Sequence, residues 1–393
     1  MSRHSSPRTH GATTGIGTPR LRGIEGLRGL AASSILVYHA WLYGAPSGDE
    51  AFGGPAAQVT GNLRAGVTLF FVLSGFLLFR PWAAAALAGR EAPSIRRYLR
   101  NRLLRIAPAY VVILLLVAVL LERTLIHHPW QLLANLVLAQ NYVPDYVFGS
   151  GIVPAWSLCI EVSFYALLPV LGWLAVSRGH AWVPVAGMAA LGLAAKALPV
   201  GGPVWGLTLL THADWFAAGM AAANLHVLSE AGGRARLPGR WRPAAGIAVV
   251  VLCALAIVLY DRGVLSALEN QTPVALACGL VLLIVVTADG GPLLRVLESR
   301  AAVALGLVSY SLFLWHDPLL RWLRREDATL GGADGFLVNV LLLAAVTLVL
   351  SSVTYVAVER PALALKRGRR RRAPAAADVR GRIQERPEPA PTQ

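Results

Sequence analysis

The first apolar run of the chain holds two ionisable side chains, Arg28 and His39, in sequence that otherwise reads as a membrane helix. They are eleven residues apart, which at 100° per residue places them on nearly the same helical face, roughly 16 Å apart along the axis. Ionisable residues inside a membrane span are costly and usually face a polar interior, and an imidazole there can serve as a general base. The pair therefore predicts a catalytic site. The alternative is that Arg28 only marks a helix end and His39 is a hydrogen-bonded packing residue.

A carboxylate, Glu161, lies four or five residues into a later apolar run. Ser157 and Tyr165 lie four residues before and after it, so the three side chains share one helical face. An isolated carboxylate inside a membrane needs a partner or a function. Glu161 is therefore a candidate functional residue, and the alternative is a structural ion pair with an arginine such as Arg28.

Two arginines three residues apart, Arg102 and Arg105, share a helical face at the start of the third apolar run. The forked donors of guanidinium groups match phosphate oxygens, so this pair suits a phosphorylated ligand. The alternative is plain anchoring of the helix at a positively charged interface. The spacing alone favours anchoring.

Ser74 and Gly75 interrupt the second apolar run. Small residues inside a membrane helix indicate a close contact with another helix. A nucleophilic serine is not expected here, because the G-x-S-x-G pattern of a nucleophile elbow does not occur.

The composition identifies the class of protein. Of the 393 residues, 55% are hydrophobic and 15% are charged, and the mean hydropathy is +0.56. Soluble domains carry about 25% charged residues. Apolar runs of about 20 residues recur, and helices are the means by which such runs satisfy their backbone in lipid. The chain is therefore predicted to be an all-α, multi-pass integral membrane protein, with the lipid bilayer as its first partner.

The apolar runs predict a bundle of about ten transmembrane helices. Arginines follow the second, sixth and eighth runs, whereas the loops at 44–62 and 124–155 contain no Lys or Arg. The positive-inside rule then places both termini in the cytoplasm. The predicted spans are 24–43, 63–86, 104–122, 157–177, 181–198, 208–228, 244–260, 273–289, 301–322 and 335–358.

The predicted domain organisation is simple. Residues 1–22 and 362–393 are expected to be disordered, basic cytoplasmic tails, and residues 23–361 form one transmembrane domain. The net charge of +15 comes from tails and short loops, so nucleic acid is not an expected partner. The three cysteines lack metal or disulfide spacing, and His127-His128 has no further ligand at a useful spacing, so no metal site is predicted.

Six short motifs occur in order along the chain. They are Arg28 with Tyr38-His39, the stretch 70–78 around Ser74-Gly75, Arg102 with Arg105-Ile106 and Pro108, Trp156-Ser157-Leu158 with Glu161 and Phe164-Tyr165, Ser309-Tyr310-Ser311 with Trp315-His316, and Glu359-Arg360-Pro361. Together they resemble the motifs of acyltransferase family 3, a family of membrane proteins that includes bacterial O-acetyltransferases of surface polysaccharides and glycosides. The resemblance extends from about residue 21 to residue 361.

The chain departs from the family pattern at a few positions. Cys159 replaces a small polar residue, and Val162-Ser163 replaces a common Glu-Gln pair. Phe313 stands where tyrosine is frequent, and Asp317 stands where an aromatic residue often follows the histidine. These differences leave the acceptor pocket undefined but do not affect Arg28 or His39.

The resemblance implies a transmembrane acyl transfer with acyl-CoA, most simply acetyl-CoA, as co-substrate and no bound cofactor. Its phosphates would be held by Arg102 and Arg105, and its acyl-pantetheine arm would extend towards His39. His39 would act as the general base on an acceptor hydroxyl or accept the acyl group itself. Arg28 would orient the substrate or stabilise the thioester oxyanion. Glu161 would hold the imidazole tautomer or bind acceptor hydroxyls.

The acceptor implied by the resemblance is a carbohydrate or glycoside at a bacterial plasma membrane. A transporter or flippase for a lipid-linked or acylated glycan is the alternative from another class, and a catalytically inactive sensor is a third. An acyl group longer than acetyl is also compatible with the motifs. The candidates for lining the substrate pocket are Ser74, Tyr110, Trp156, Ser157, Tyr165 and His316.

Overall fold

The computed structural model describes residues 21–48, 50–146, 151–198, 200, 202–232, 241–261 and 271–366. Within these ranges every regular element is a helix and none is a strand, which confirms the all-α prediction. Residues 1–20 and 367–393, which make up most of the two predicted tails, lie outside the described residues.

Ten long helices lie at the positions of the ten predicted apolar runs, within the part of the chain that the structure describes. A helix satisfies its own backbone hydrogen bonds, which an apolar run cannot satisfy with water in a membrane. In chain order they are α1 (Ile24–Tyr43), α2 (Ala65–Ala88), α3 (Ile95–Leu116), α4 (Ala155–Ser177), α5 (Trp182–Ala197), α6 (Leu209–Ala231), α7 (Trp241–Asp261), α8 (Gln271–Val286), α9 (Arg300–Arg325) and α10 (Gly332–Thr354).

Short helical segments connect or extend the long helices. Two of them are π-helical turns that continue α3 and α10. The short segments are Gly54–Gly61, Asn62–Arg64, Val117–Leu121, Thr124–His127, Pro129–Leu136, Gln140–Tyr142, Pro144–Tyr146, Pro203–Gly206, Pro292–Leu297, Tyr355–Glu359 and Arg360–Ala364.

Five stretches among the described residues are long and apolar enough to cross a membrane by themselves. The chain is therefore a multi-pass membrane protein. That all ten long helices cross the membrane, and that both termini face the cytoplasm, stay predictions. The five stretches are Gly54–Ala88, Ile95–Leu121, Ala155–Ser177, Arg300–Arg325 and Gly332–Ala364.

The bundle has two chemically distinct ends. One, here the basic end, comprises residues 89–101 and 360–366 and contains several arginines and a lysine. The other, here the loop end, comprises residues 44–61 and 123–146. Helices α1 and α9 both run from the basic end towards the loop end, whereas α2 and α4 run in the opposite direction.

Glycines allow the central helices to touch along their backbones. A Cβ atom on Gly306 of α9 would lie 2.0 Å from the carbonyl oxygen of Glu25 in α1. A Cβ atom on Gly75 of α2 would lie 2.3 Å from the carbonyl oxygen of Phe216 in α6. No side chain fits at such separations, so the predicted close contact at Gly75 is confirmed. These contacts hold α1 against α9 and α2 against α6 around the site described next.

Candidate active site

Two cavities follow one another along the middle of the bundle. The inner cavity, nearer the basic end, is narrow, with a volume of about 100 Å³. The outer cavity, nearer the loop end, has a volume of about 330 Å³. The polar residues that line the inner cavity include Arg28, Ser74, Arg102, Arg105, Glu161 and Ser309. The outer cavity is lined by Tyr38, His39, Arg64, His212, Trp215 and Gln271 among others.

Arg105 is the arginine of the inner cavity whose charge is balanced. Its Nη1 donates to Oε2 of Glu359 over 3.1 Å. The Glu359 side chain is almost fully buried, and its other carboxylate oxygen accepts a hydrogen bond from Ser311. The Arg105 guanidinium also lies 5.7 Å from the ring centre of Tyr310. This pairing fixes the orientation of Arg105 and ties α3 to the end of α10.

Arg28 and Arg102 keep donor capacity that faces the inner cavity. Arg28 Nη2 donates to Ser309 Oγ over a long 3.3 Å, and the Arg102 guanidinium lies 5.9 Å from the ring centre of Tyr165. The Nε atoms of both arginines are buried without a hydrogen-bond partner. Neither side chain has a carboxylate within ion-pair distance among the described residues. Buried donors of this kind favour an anionic or carbonyl-bearing ligand.

Glu161 is held by a serine rather than by an arginine. Ser74 Oγ donates a short hydrogen bond to Glu161 Oε1. Among the described residues no ion pair joins Glu161 to Arg28, so the alternative of a structural pair between these two is not what the structure contains. Ser74, Glu161 and Tyr165 all line the inner cavity, so the carboxylate is part of its polar wall.

A wider vestibule of about 680 Å³ adjoins the inner cavity at the basic end, and the two share Arg102. Trp82, Arg97 and Tyr98 also line the vestibule. Positive charge is concentrated at this end. Burial, and then the charges of Arg102, Arg105 and Arg28, lower the pKa of Lys366 to about 8. The entrance to the inner cavity is thus a region where a polyanion relieves electrostatic repulsion.

The outer cavity combines aromatic rings with hydrogen-bonding groups. Tyr38, Trp156, His212 and Trp215 supply aromatic faces and edges, and Arg64 is the charged residue of its lining in the described part of the chain. Trp156 and His212 are themselves in contact, with ring centres 5.8 Å apart. Such a lining suits a ring-shaped ligand that carries hydroxyl groups.

His39 forms a dyad with His316 at the edge of the outer cavity. His39 Nδ1 lies 2.9 Å from His316 Nε2, and His316 Nδ1 lies 3.3 Å from the carbonyl oxygen of Leu312. A carbonyl only accepts, so His316 carries its proton on Nδ1 and, when neutral, presents a lone pair on Nε2. His39 must then donate from Nδ1. These contacts favour the His39 tautomer that carries its proton on Nδ1. In that tautomer Nε2 has a lone pair that can accept a proton.

His316 is fully buried and the residue after it is anchored elsewhere. Asp317 Oδ2 accepts from Arg321 over 3.1 Å, and Arg321 also pairs with Glu122 beyond α3. The Asp317 carboxylate is therefore engaged by Arg321 rather than by the imidazoles. This ion cluster fastens the loop-end half of α9 and so holds His316 in place.

The structure brings most of the predicted site residues to the two cavities, but divides them. Arg28, Ser74, Arg102, Arg105, Ser157, Glu161 and Tyr165 line the inner cavity. His39 and Trp156 line the outer cavity, and His316 contacts His39. Tyr110 lines neither of them: it is buried, and its hydroxyl donates to the carbonyl oxygen of Asn135 over 2.7 Å.

The outer-cavity residues that were not predicted from the sequence include Arg64, His212, Trp215 and Gln271. Arg64 follows a loop otherwise free of Lys and Arg, which is a signal that could have identified it. His212 and Trp215 lie in the apolar run that became α6, where polar and aromatic residues stand out. Among the described residues, no group of three His, Cys, Asp or Glu side chains is arranged to hold a metal ion.

The chain is similar in sequence to two named bacterial proteins. The chain is 27% identical over 388 residues to the putative membrane-bound transacylase BcsY of Komagataeibacter xylinus, a match that covers 92% of this chain and 87% of that protein. It is 31% identical over 173 residues to the O-acetyltransferase OatA of Staphylococcus aureus, which covers 39% of this chain and a quarter of OatA. No solved structure matches significantly.

A family model described as an acyltransferase domain matches residues 21–356, which includes every helix that lines the two cavities. This match confirms the resemblance seen in the motifs and favours acyl-transfer chemistry over transport alone. The chain belongs to acyltransferase family 3 and is a membrane acyltransferase.

Proposed function

We propose that the protein is an O-acyltransferase that moves an acyl group, in the simplest case acetyl, from cytoplasmic acyl-CoA to a hydroxyl group of a carbohydrate or glycoside. The observation that carries this proposal is the succession of an arginine-lined cavity and a histidine-containing cavity along one axis of the bundle. The name of the related O-acetyltransferase supports acetyl as the transferred group.

The donor enters from the basic end in this proposal. The vestibule holds the nucleotide part of CoA, and Arg102 binds phosphate; the size of the vestibule and the position of Arg102 at its junction with the inner cavity support this. Arg105 adds positive charge there, although Glu359 neutralises much of it. The narrow inner cavity suits an extended pantetheine arm. Its amide N–H groups find an acceptor in Glu161, and its carbonyl groups find donors in Arg28.

His39 acts as the general base in this proposal. As the acceptor hydroxyl oxygen attacks the thioester carbonyl carbon, His39 Nε2 takes its proton and a carbon–oxygen bond forms. The carbon–sulfur bond then breaks, and the thiolate leaves as CoA thiol after taking the proton back from His39. His316 keeps His39 in the tautomer that can accept the proton. Arg28 lies three helical turns from His39 on α1, so it orients the donor through the pantetheine carbonyl groups in the inner cavity rather than contacting the reacting carbonyl.

The proposed orientation follows from charge. The arginines of the basic end belong in the cytoplasm by the positive-inside rule, which is also where acyl-CoA is made. The outer cavity then opens towards the opposite face of a bacterial plasma membrane, and its aromatic lining is suited to a sugar ring.

Acyl transfer by the purified protein in proteoliposomes, with radiolabelled acetyl-CoA and extracted glycan or glycoside pools, tests this function. We expect label in an acceptor pool, lowered by about 10²- to 10⁴-fold in His39→Ala because that is the usual contribution of a general base. Removing a phosphate-binding side chain in Arg102→Ala, which leaves the ion pair of Arg105 with Glu359 intact, should instead raise KM for acetyl-CoA.

Matched controls separate chemistry from folding. His128→Ala removes an exposed loop histidine, and Arg96→Ala/Arg123→Ala removes two exposed positive charges; both should transfer like the wild type. Unchanged transfer in His39→Ala would contradict the mechanism. Transport of an acceptor without consumption of acetyl-CoA would instead support the transporter alternative.

A further inference from the structure

Among the described residues, Phe313 alone lines both the inner and the outer cavity. The other residues of the two linings differ. On α2, Thr68 faces the outer cavity and Phe70 the inner one; on α4, Trp156 faces the outer cavity and Ser157 the inner one. Neighbouring positions on a helix are only 1.5 Å apart along its axis. The boundary between the cavities is therefore about one side chain thick.

The ring of Phe313 is held at this boundary by contacts on both sides. It packs edge-on against Phe70 of the inner cavity, with ring centres 6.0 Å apart and an interplanar angle of 70°. On the other side its centre lies 5.7 Å from the ring of His316, the partner of His39. Only 8% of Phe313 is exposed. The side chain is thus a packed partition directly beside the histidine dyad.

We propose that Phe313 is the specificity-determining partition of the acyl-transfer site. It ends the inner cavity, so that a short acyl group fits in front of it, and it keeps the water of the outer cavity from the thioester until an acceptor is present. Transfer then needs the ring to turn aside, which brings thioester and acceptor together at His39. This proposal rests on the proposed function and identifies the residue that limits the length of the acyl group on the donor.

Hydrolysis is the side reaction that such a partition suppresses. Water would attack the thioester carbonyl carbon, the carbon–sulfur bond would break, and the products would be a carboxylate, CoA thiol and one proton. The reaction needs no further reactant, because the outer cavity opens towards the loop end. Excluding water from a reactive intermediate is a recognised role of closed sites.

Phe313→Ala tests both consequences in one assay of free acetate and acylated acceptor. We expect the ratio of hydrolysis to transfer to rise about tenfold, because water gains access to the thioester. The preference for acetyl-CoA over butyryl-CoA should fall about tenfold, since one or two methylene groups in an apolar pocket are worth roughly 10- to 200-fold. Phe313→Tyr, which keeps the ring, should retain both wild-type ratios.

Phe336→Ala is the matched control, because it removes an aromatic ring that packs against Phe52 and lines neither cavity. It should leave both ratios unchanged. Wild-type ratios in Phe313→Ala, with transfer still measurable, would overturn the proposal.

A second measurement does not depend on activity or on a stable Phe313→Ala enzyme. Val67→Cys, placed in the outer cavity of a variant in which Cys159, Cys253 and Cys278 are replaced by serine, is treated with a membrane-impermeant thiol reagent from each side of sealed vesicles. We expect modification from one side when Phe313 is present and from both sides in Phe313→Ala or Phe313→Leu. Modification from both sides with Phe313 present, or from only one side in the two variants, overturns the partition. Absence of acyl transfer in the wild type would overturn the proposed function separately.

Discussion

His39 Nδ1 lies 2.9 Å from His316 Nε2, although 277 residues separate the two histidines along the chain. His316 is in turn fixed by the Leu312 carbonyl one helical turn before it, and its helix is fastened by Arg321, which pairs with Asp317 on the same helix and with Glu122 beyond α3. The His39 imidazole is thus oriented by a second imidazole that a backbone group fixes, and among the described residues no carboxylate pairs with it. In the proposed mechanism, this arrangement sets the tautomer of the general base.

Removal of the orienting partner should slow the chemical step. In His316→Ala, His39 loses the imidazole that accepts from its Nδ1, and its orientation and tautomer are held less firmly. We expect kcat to fall by about 10- to 100-fold, less than in His39→Ala, because the base is still present. KM for acetyl-CoA should stay close to that of the wild type, since His316 lies away from the inner cavity.

Steady-state kinetics at saturating acceptor, with thermal unfolding as a check on folding, make this measurement. His316→Gln retains an amide oxygen that can accept from His39 and should recover part of kcat. An equal rise in KM with kcat unchanged would show that His316 acts in binding instead.

The sequence predicted the helices well because their signal is local. The run predicted at 157–177 is helical from Ala155 to Ser177, and that at 208–228 from Leu209 to Ala231. Helix α3 was placed too late, at 104 rather than Ile95, because its first turns are rich in arginine and apolar periodicity does not detect them. Local hydropathy also located Arg28, His39 and Glu161, since charged residues are conspicuous in apolar sequence.

The pairing of residues across helices could not be predicted in the same way. Arg105 contacts Glu359, 254 residues away, and Ser74 contacts Glu161 on another helix. Such partners depend on how each helix is rotated about its axis, which backbone contacts such as that at Gly306 decide. The sequence therefore found the components of the site but not its division into two cavities.

The ion pair between Arg105 and Glu359 should be required for stability. Glu359→Gln leaves a mostly buried guanidinium without its carboxylate, and the loss of one partner from a buried pair costs about 3–5 kcal/mol. The Arg105 side chain is 16% exposed, so the lower part of that range is expected. Thermal unfolding in detergent should show the loss, whereas Glu91→Gln, at an exposed site, should leave the midpoint unchanged. An unaltered midpoint in Glu359→Gln would mean that the pair contributes no net stability.

Donor binding should weaken as pH rises through the titration of Lys366, whose pKa is lowered to about 8 by burial and then by the surrounding positive charge. The side chain is mostly protonated at pH 7 and mostly neutral at pH 9, so a bound polyanion loses one attractive charge over this interval. We expect Kd for CoA to increase about two- to fivefold from pH 7 to pH 9. This change corresponds to the loss of about 0.5–1 kcal/mol, the contribution of a partly exposed charge pair.

Titration of CoA binding at pH 7, 8 and 9 tests this dependence. Lys366→Met should bind more weakly at pH 7 and show a flat profile, whereas Lys366→Arg should stay tight and flat because arginine does not titrate in this range. A wild-type slope that persists in Lys366→Met would assign the titration to another group. The same lowered pKa also makes the free energy of unfolding depend on pH. Between pH 8 and pH 10.5 the unfolded chain binds more protons at Lys366 than the folded chain does. The free energy of unfolding therefore increases as pH rises through that window.

Gly306 is expected to control the alignment of the histidine dyad. Gly306→Ala places a Cβ atom against the Glu25 carbonyl, 2.0 Å away in the present geometry, so α1 and α9 must move apart. Because His39 lies on α1 and His316 on α9, we expect acyl transfer to fall by at least about tenfold, together with a loss of about 1–3 kcal/mol of stability typical of overpacking. Gly187→Ala is the matched control, since a Cβ atom there meets no neighbour within 4 Å. Full activity in Gly306→Ala would show that the two helices can separate without disturbing the dyad.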